Sequence, residues 1–378
     1  MNKRFISLIT FFCLVAVIST NCKNETTKET KKTGAAKVQK ERSSELLVEK
    51  PDTIKVPDGM VWVSGVRFTQ GAPEADQLAL PRERPAHPVA VDGFFIDKTE
   101  VTNAEFAEFV DATGYLTVAE RPIDWEEIKK QLPQGTPKPA DSILQPGSLI
   151  FNRKVTDVRD LRNYSQWWEW KIGANWKHPR GPESTIDGKD DYPVVHVAYE
   201  DALAYCKWAN RKLPTEAQWE AAAHGKLHGG IYTWGDDDGQ LDKRANTWQG
   251  EFPNTNAETD GYAYAAPVAS YDPNTLGIYD MSGNVWEITQ DWFSVRYYQE
   301  LVETGVARNP AGPAKSFNPQ NALVEEKVIK GGSFLCDDSY CASYRISARM
   351  GQSLDSASDH TGFRTVATPQ MLAAKTTN

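Results

Sequence analysis

Cysteine, methionine and histidine are scarce in this 378-residue chain, at five, five and six residues. Two of the cysteines, Cys13 and Cys22, fall in an N-terminal apolar segment, which leaves Cys206, Cys336 and Cys341 for the folded body. Three thiols cannot build a disulfide framework, and in an oxidising compartment an odd number leaves at least one without an intramolecular partner. No second cysteine pair exists to complete a four-thiolate zinc site, and the spacing of Cys336 and Cys341 is not the C-x-x-C of a thioredoxin-like motif. Positive charge is also in deficit: 42 Lys and Arg against 51 Asp and Glu give a net charge of -9. Phosphate backbones require clustered cations, so no nucleic-acid partner is expected.

Lys3 and Arg4 precede an apolar run from Phe5 to Ile18, which is too short to span a membrane comfortably and reads as a signal peptide over residues 1–22. Cys22 stands where a bacterial lipoprotein carries its lipidated cysteine, although Asn21 departs from the small residue usual before it. The expectation is an exported protein, periplasmic or outer-membrane-associated, with membrane anchoring through Cys22. Residues 23–55 begin with a run of Lys, Glu, Thr and Ser that cannot bury enough apolar surface to fold, and read as a disordered polar tether. One domain is expected over 56–370, followed by a tail at 371–378. With 40% hydrophobic residues it has material for a core, and 26 Gly and 22 Pro make it loop-rich.

Met60 to Val63 reads as a strand. Thr102-Asn103-Ala104-Glu105 and Thr215-Glu216-Ala217-Gln218 are capping boxes, each followed by apolar residues at helical spacing. Between them Ala202, Leu203 and Cys206 form a helical apolar set that directs Cys206 into a core. Gly277 to Asp280 and Val328 to Phe334 read as short strands and turns. Asp236-Asp237-Asp238-Gly239 lacks the bidentate Glu of an EF-hand and reads as an exposed turn. The spacing of Cys336 and Cys341 alone allows two readings: a small structural disulfide, or two thiolates holding a soft, low-coordinate ion such as Cu(I).

The flanking residues separate these readings. Lys330-Gly331-Gly332-Ser333-Phe334-Leu335-Cys336, Ser339-Tyr340-Cys341 and Gly362-Phe363-Arg364 follow one another. Upstream stand Gly173-Ala174-Asn175-Trp176, Pro193-Val194-Val195-His196, Leu213-Pro214-Thr215-Glu216-Ala217 and Gly283-Asn284-Val285-Trp286-Glu287. In this order, from about Gly59 to Val366, they resemble the formylglycine-generating enzyme family. The resemblance implies one α+β domain of the formylglycine-generating, C-type-lectin-like type, low in regular secondary structure. It implies a copper-dependent oxidase that uses O2 to convert a cysteine in a Cys-x-Pro-x-Arg segment of an unfolded sulfatase polypeptide to formylglycine. Cu(I) would be held by Cys336 and Cys341, with Ser333 in the oxygen pocket, Trp286 as its apolar wall and Tyr340 beside it. A non-catalytic surface lipoprotein using the domain as a binding scaffold is the alternative.

The same resemblance implies structural Ca2+ at two places: Asn246, Thr247, Asp260 and Tyr262, and Asp280, Gly283, Val285 and Glu287, the uncharged positions giving backbone carbonyls as a hard cation prefers. Arg345 and Arg349 are expected to pair with carboxylates or carbonyls near the active loop. Ile346 and Thr365 stand where eukaryotic members carry cysteines, so Cys206 has no evident disulfide partner. His360 replaces the asparagine of some members, and a role in orienting peptide or a neighbouring carboxylate is set against that of a simple turn residue.

Overall fold

The computed structural model describes residues 45–375 except His228; the expected signal peptide, Cys22 and most of the tether lie outside the described residues. The packed body starts ahead of Val56, because the Leu47 carbonyl accepts from the N–H groups of Gly65 and Gly93, and the Leu47 N–H donates to Asp92 Oδ1. No helix among the described residues is long and apolar enough to cross a membrane.

In chain order the principal elements are β1 (Met60–Val63), β2 (Val66–Gln70), β3 (His87–Val91), β4 (Phe94–Asp97), α1 (Asn103–Thr113), β5 (Gly147–Phe151) and β6 (Trp168–Ile172). Next come α2 (Tyr199–Ala209), α3 (Glu216–His224), β7 (Gly250–Glu251), β8 (Thr255–Asn256), β9 (Trp286–Trp292), α4 (Tyr297–Val302) and β10 (Ala307–Arg308). The chain closes with β11 (Glu326–Lys330), β12 (Met350–Ser353), β13 (Thr361–Gly362), β14 (Val366–Ala367) and α5 (Pro369–Lys375), the last running past the boundary drawn at 370. Most strands are short, and they gather into small sheets, so loops carry much of the framework. The β12-β11-β9-β13 sheet is central to the site.

Both capping boxes form. Thr102 Oγ1 accepts from the Glu105 N–H while the Glu105 carboxylate accepts from the Thr102 N–H, and Thr215 and Gln218 repeat the exchange. In α2 the buried set is Ala202, Tyr205 and Cys206, whereas Leu203 is 41% exposed. Residues 202, 205 and 206 share a face by i, i+3, i+4 spacing, and Leu203 lies one residue, about 100°, round the helix. Cys206 joins the core containing Phe106, Phe109 and Phe363, and burial pushes its thiol pKa up. Gly277 to Asp280 is irregular, a bend with no strand pairing.

A frame of three buried arginines underlies the loops. Arg345 pairs with Asp76 at 2.5 Å and Glu83 at 2.7 Å, and donates to the Ala342 carbonyl at 2.8 Å. Arg349 clamps both oxygens of Glu216, at 2.6 and 2.8 Å, and Arg364 clamps both of Glu287, at 2.6 and 2.7 Å. The expected pairing of Arg345 and Arg349 with carboxylates and carbonyls is thus present. Two-point contact makes each pair geometrically specific.

Candidate active site

β11 ends at Lys330, and two consecutive left-handed glycines, Gly331 (φ +88°) and Gly332 (φ +72°), turn the chain into the thiol loop. A Cβ on Gly332 would sit 2.7 Å from the Ser343 carbonyl carbon and the Tyr344 nitrogen, so the turn admits only glycine. The buried Ser333 accepts from the Leu335 N–H through its hydroxyl and directs its own N–H at Cys336 Sγ, 3.4 Å away. The Cys336 carbonyl accepts from the Trp248 N–H at 3.0 Å, and the Asp337 carbonyl accepts from the Cys341 N–H at 2.7 Å.

This loop brings Cys336 Sγ and Cys341 Sγ to 2.8 Å as free thiols, so the disulfide reading does not describe the structure. Cys336 is buried and Cys341 half-buried. Their acidities diverge. Burial, reinforced by its neighbour, pushes the Cys336 thiol well above the ordinary range, whereas hydrogen bonds from Cys336 and Ser343, with the Arg82 charge nearby, lower that of Cys341. The pair therefore favours a Cys341 thiolate bonded to a Cys336 thiol, and a thiolate is the form that binds metals or attacks.

Both sulfurs line a cavity of about 1220 Å³, and Ser333, Trp286 and Tyr340 line it too. All five residues assigned to catalysis from the sequence thus meet at one place. Tyr340 stacks on Phe252 at 4.7 Å and meets Trp167 edge-on at 5.6 Å, which fixes its ring at the cavity wall although the residue stays 42% exposed. His360 also lines the cavity, 4.8 Å edge-on to Trp168. Burial pushes its pKa down to about 3, so the imidazole is neutral, and its Nδ1 has no partner. Asp359 beside it is paired with Arg180 and accepts no hydrogen bond from the ring.

The two oxygen-rich regions differ. Asp260 already accepts from the N–H groups of Thr247 and Tyr262 and from Gln249 Nε2, leaving Asn246 Oδ1 as a buried oxygen without a partner. In the second region Gly283 (φ +81°) brings its backbone so close to Asn246 that a Cβ would lie 2.3 Å from the Asn246 carbonyl. Glu287 is not an open ligand here: Trp219 Nε1 and Arg364 occupy both of its oxygens. Asp280 instead shares its surroundings with Glu100, a residue that the sequence did not single out. Glu100 Oε1 accepts from Asn284 Nδ2 at 2.9 Å, but Oε2 has no hydrogen-bond partner, and Arg364 is 3.9 Å away. Burial, then the Asp280 charge, raises the Glu100 pKa well above normal; burial also lifts Asp280 to about 6. Three carboxylates thus face one guanidinium, which is the imbalance a divalent cation would correct. No three His, Cys, Asp or Glu side chains among the described residues converge at ligand distance, so such a cation would depend on carbonyls as well.

The fold and the site together define a loop-built domain with two adjacent cysteine sulfurs on the wall of a large cavity. The chain belongs to the formylglycine-generating enzyme family: the model of the sulfatase-modifying factor enzyme 1-like domain matches residues 45–369. It is 43% identical over 321 residues to the formylglycine-generating enzyme of Mycobacterium tuberculosis, covering 84% of this chain and 98% of the relative. The bovine formylglycine-generating enzyme is 40% identical over 82% of this chain and 75% of its own length. A mouse protein named inactive C-alpha-formylglycine-generating enzyme 2 is 36% identical over 81% of this chain and 84% of its own, so membership of the family does not by itself carry activity. Among solved structures, PvdO from Pseudomonas aeruginosa superposes with a TM-score of 0.56 at 22% identity, covering 85% of this chain and 99% of that one, which shows the shared fold.

Proposed function

We propose that this protein is a copper-dependent oxidase that converts the cysteine of a Cys-x-Pro-x-Arg segment in an unfolded sulfatase to formylglycine with O2. The observation that carries the reading is the unbonded pair Cys336 and Cys341 at the wall of a cavity large enough for a peptide. Copper bound there would supply the one-electron chemistry toward O2 that no side chain offers. Cys341, the more acidic of the two thiols, and Cys336 would hold it, a soft donor pair suited to Cu(I). The Ser333 N–H, aimed at Cys336 Sγ, stabilises negative charge on that sulfur. Trp286 closes the wall, and Tyr340, stacked on Phe252 and edge-on to Trp167, is held at its rim. The scaffold alternative has no observation of its own in its favour.

Structural calcium belongs to the same proposal. The region of Glu100, Asp280, Gly283 and Val285 fits a divalent cation by charge, and the region of Asn246, Thr247, Asp260 and Tyr262 fits less well because Asp260 is already saturated by donors. Export, and anchoring through a lipidated Cys22, rest on the N-terminal sequence.

The test incubates the full chain with Cu(I), a thiol reductant, oxygen and a Cys-x-Pro-x-Arg peptide, and follows peptide mass. Copper-dependent conversion of the thiol to an aldehyde, abolished in both Cys336→Ser and Cys341→Ser, is expected. A protein that binds no Cu(I) would overturn the oxidase in favour of a scaffold.

A further inference from the structure

The β5–β6 hairpin leaves one face and one edge open beside the cavity. Its register sets Phe151 opposite Trp168, Leu149 opposite Trp170 and Gly147 opposite Ile172. Opposed residues share a face, so Trp168, Trp170 and Ile172 form one row with Leu149 and Phe151. Leu149 and Trp168 line the cavity, and Trp170 and Ile172 continue the row outward at 42% and 44% exposure.

The backbone is equally open. Leu149 spends its N–H on the Ala357 carbonyl at 3.3 Å, and its carbonyl accepts from the Asp359 N–H at 3.1 Å, both on the side of β5 away from β6. The Leu149–Trp170 pair therefore exchanges no ladder bonds, and the two-residue alternation extends this to the Phe151–Trp168 and Gly147–Ile172 pairs. Gly173, which donates to Pro146, and Asn152, which donates to Trp167, bracket the hairpin in the phase this requires. The N–H and C=O groups of Trp168, Trp170 and Ile172 thus face the outer edge of β6, against which no other strand lies among the described residues.

We propose that this edge is a second docking surface for the substrate polypeptide, which adds to β6 as an extended strand with apolar side chains against Trp170 and Ile172 while its cysteine reaches the dithiol. The inference rests on the oxidase reading for its occupant, an unfolded chain. Continuity of the apolar row with the cavity favours that occupant, and strand addition supplies main-chain bonds that do not depend on sequence. An aromatic edge left bare is otherwise a pairing hazard. From Trp168 to Ile172 the strand covers about 13 Å at roughly 3.3 Å per residue. A bare Cys-x-Pro-x-Arg core is too short to use it, and a flank of about eight residues at one end is long enough.

The experiment measures binding of fluorescent peptides, with Ser in place of the target cysteine, to the full chain: the core alone, and the core extended by eight β-prone apolar residues on the N-terminal or the C-terminal side. One extended peptide is expected to bind at least about tenfold tighter than the core, and Trp170→Ser/Ile172→Thr to erase that difference. Unchanged thermal unfolding would show that the variant is folded, and Trp170→Lys alone provides a second, solubilising substitution at the same edge. Equal binding of core and extended peptides to the wild type, or a preference kept by the variants, overturns the proposal. So does a change in sedimentation from oligomer to monomer, which would make a second copy of the chain the occupant. A wild type that binds the extended peptide tightly but converts no cysteine peptide would sink the oxidase reading and leave the docking surface standing.

Discussion

Two buried carboxylate clusters lie behind the cavity, and they balance their charge differently. In the first, Glu216 and Glu220 face Arg349 and Lys330, with Glu216 clamped by Arg349 and Lys330 at 3.3 Å from Glu220. Its third acid, Asp291, is pushed up to about 8 by burial and by the Glu216 charge, so that it is protonated at neutral pH. The protein closes that cluster with its own cations and one bound proton. In the second, Glu100, Asp280 and Glu287 have Arg364 alone, and one Glu100 oxygen is left with no partner. The first cluster is therefore closed by the chain's own cations and a proton, whereas the second has a single guanidinium, and its surplus falls to a proton on Glu100, whose pKa burial raises, or to a bound cation.

The strongest way to break this contrast is to unbalance the complete cluster. Arg349→Met leaves Glu216 buried against Lys330 at 3.8 Å and little else positive. A loss of about 3–5 kcal/mol in unfolding free energy is expected, measured by denaturant titration. A loss below about 1 kcal/mol would mean that the ion pair contributes no more than an exposed one.

The second cluster gives a smaller and conditional effect. Chelation with EGTA should lower the thermal midpoint of the full chain, and added Ca2+ at a hundredfold over its Kd should restore about 2.7 kcal/mol. Glu100→Gln, which removes one of the surplus charges, should make the protein nearly indifferent to both reagents. Calcium-independent melting of the wild type would leave the charge surplus to be met by protons alone.

Sequence and structure agree where the determinants are local. The capping boxes at Thr102 and Thr215 involve residues three apart, and the Gly331-Gly332 turn states its conformation in its composition, so helices and thiol loop were both legible. The convergence of Ser333, Trp286, Tyr340, Cys336 and Cys341 came through resemblance, since the segments carrying Trp286 and the thiols meet through the β9–β11 pairing and the adjoining Gly283–Gly331 and Asn284–Phe334 backbone bonds, all long-range. Glu100 gave no signal, because its meaning lies in contacts with Asn284 and Arg364, more than 180 residues away. The partners of Glu287 were hidden for the same reason: Arg364 meets its carboxylate through a contact that no spacing reveals. Trp170 and Ile172 sit in a hairpin whose two strands are joined by a long connection without a short turn motif, so their shared face emerges only from the register.

The finest distinction between the clusters concerns the proton on Asp291. Its folded pKa, about 8, stands well above that of an ordinary Asp carboxyl, about 3.9, so the protonated form is favoured by folding. That contribution is present in full below pH 4 and is lost as pH rises through 8, because the folded protein must then either keep a proton the solvent withdraws or bury another charge. Asn in its place keeps an oxygen to accept from the Glu216 N–H, which now bonds Asp291 Oδ2 at 3.0 Å, and carries no charge at any pH. Asp291→Asn is therefore expected to match the wild type within about 0.5 kcal/mol near pH 4 and to gain on it by about 1.4 kcal/mol for each further pH unit, reaching about 5 kcal/mol by pH 8, read from denaturant unfolding at each pH. Arg349 and Lys327 face the same carboxylate, and a difference that stays flat with pH would show that they, rather than a proton, neutralise it. The first cluster would then be balanced entirely by side-chain cations, and its contrast with the cation-deficient pocket around Glu100 would become sharper.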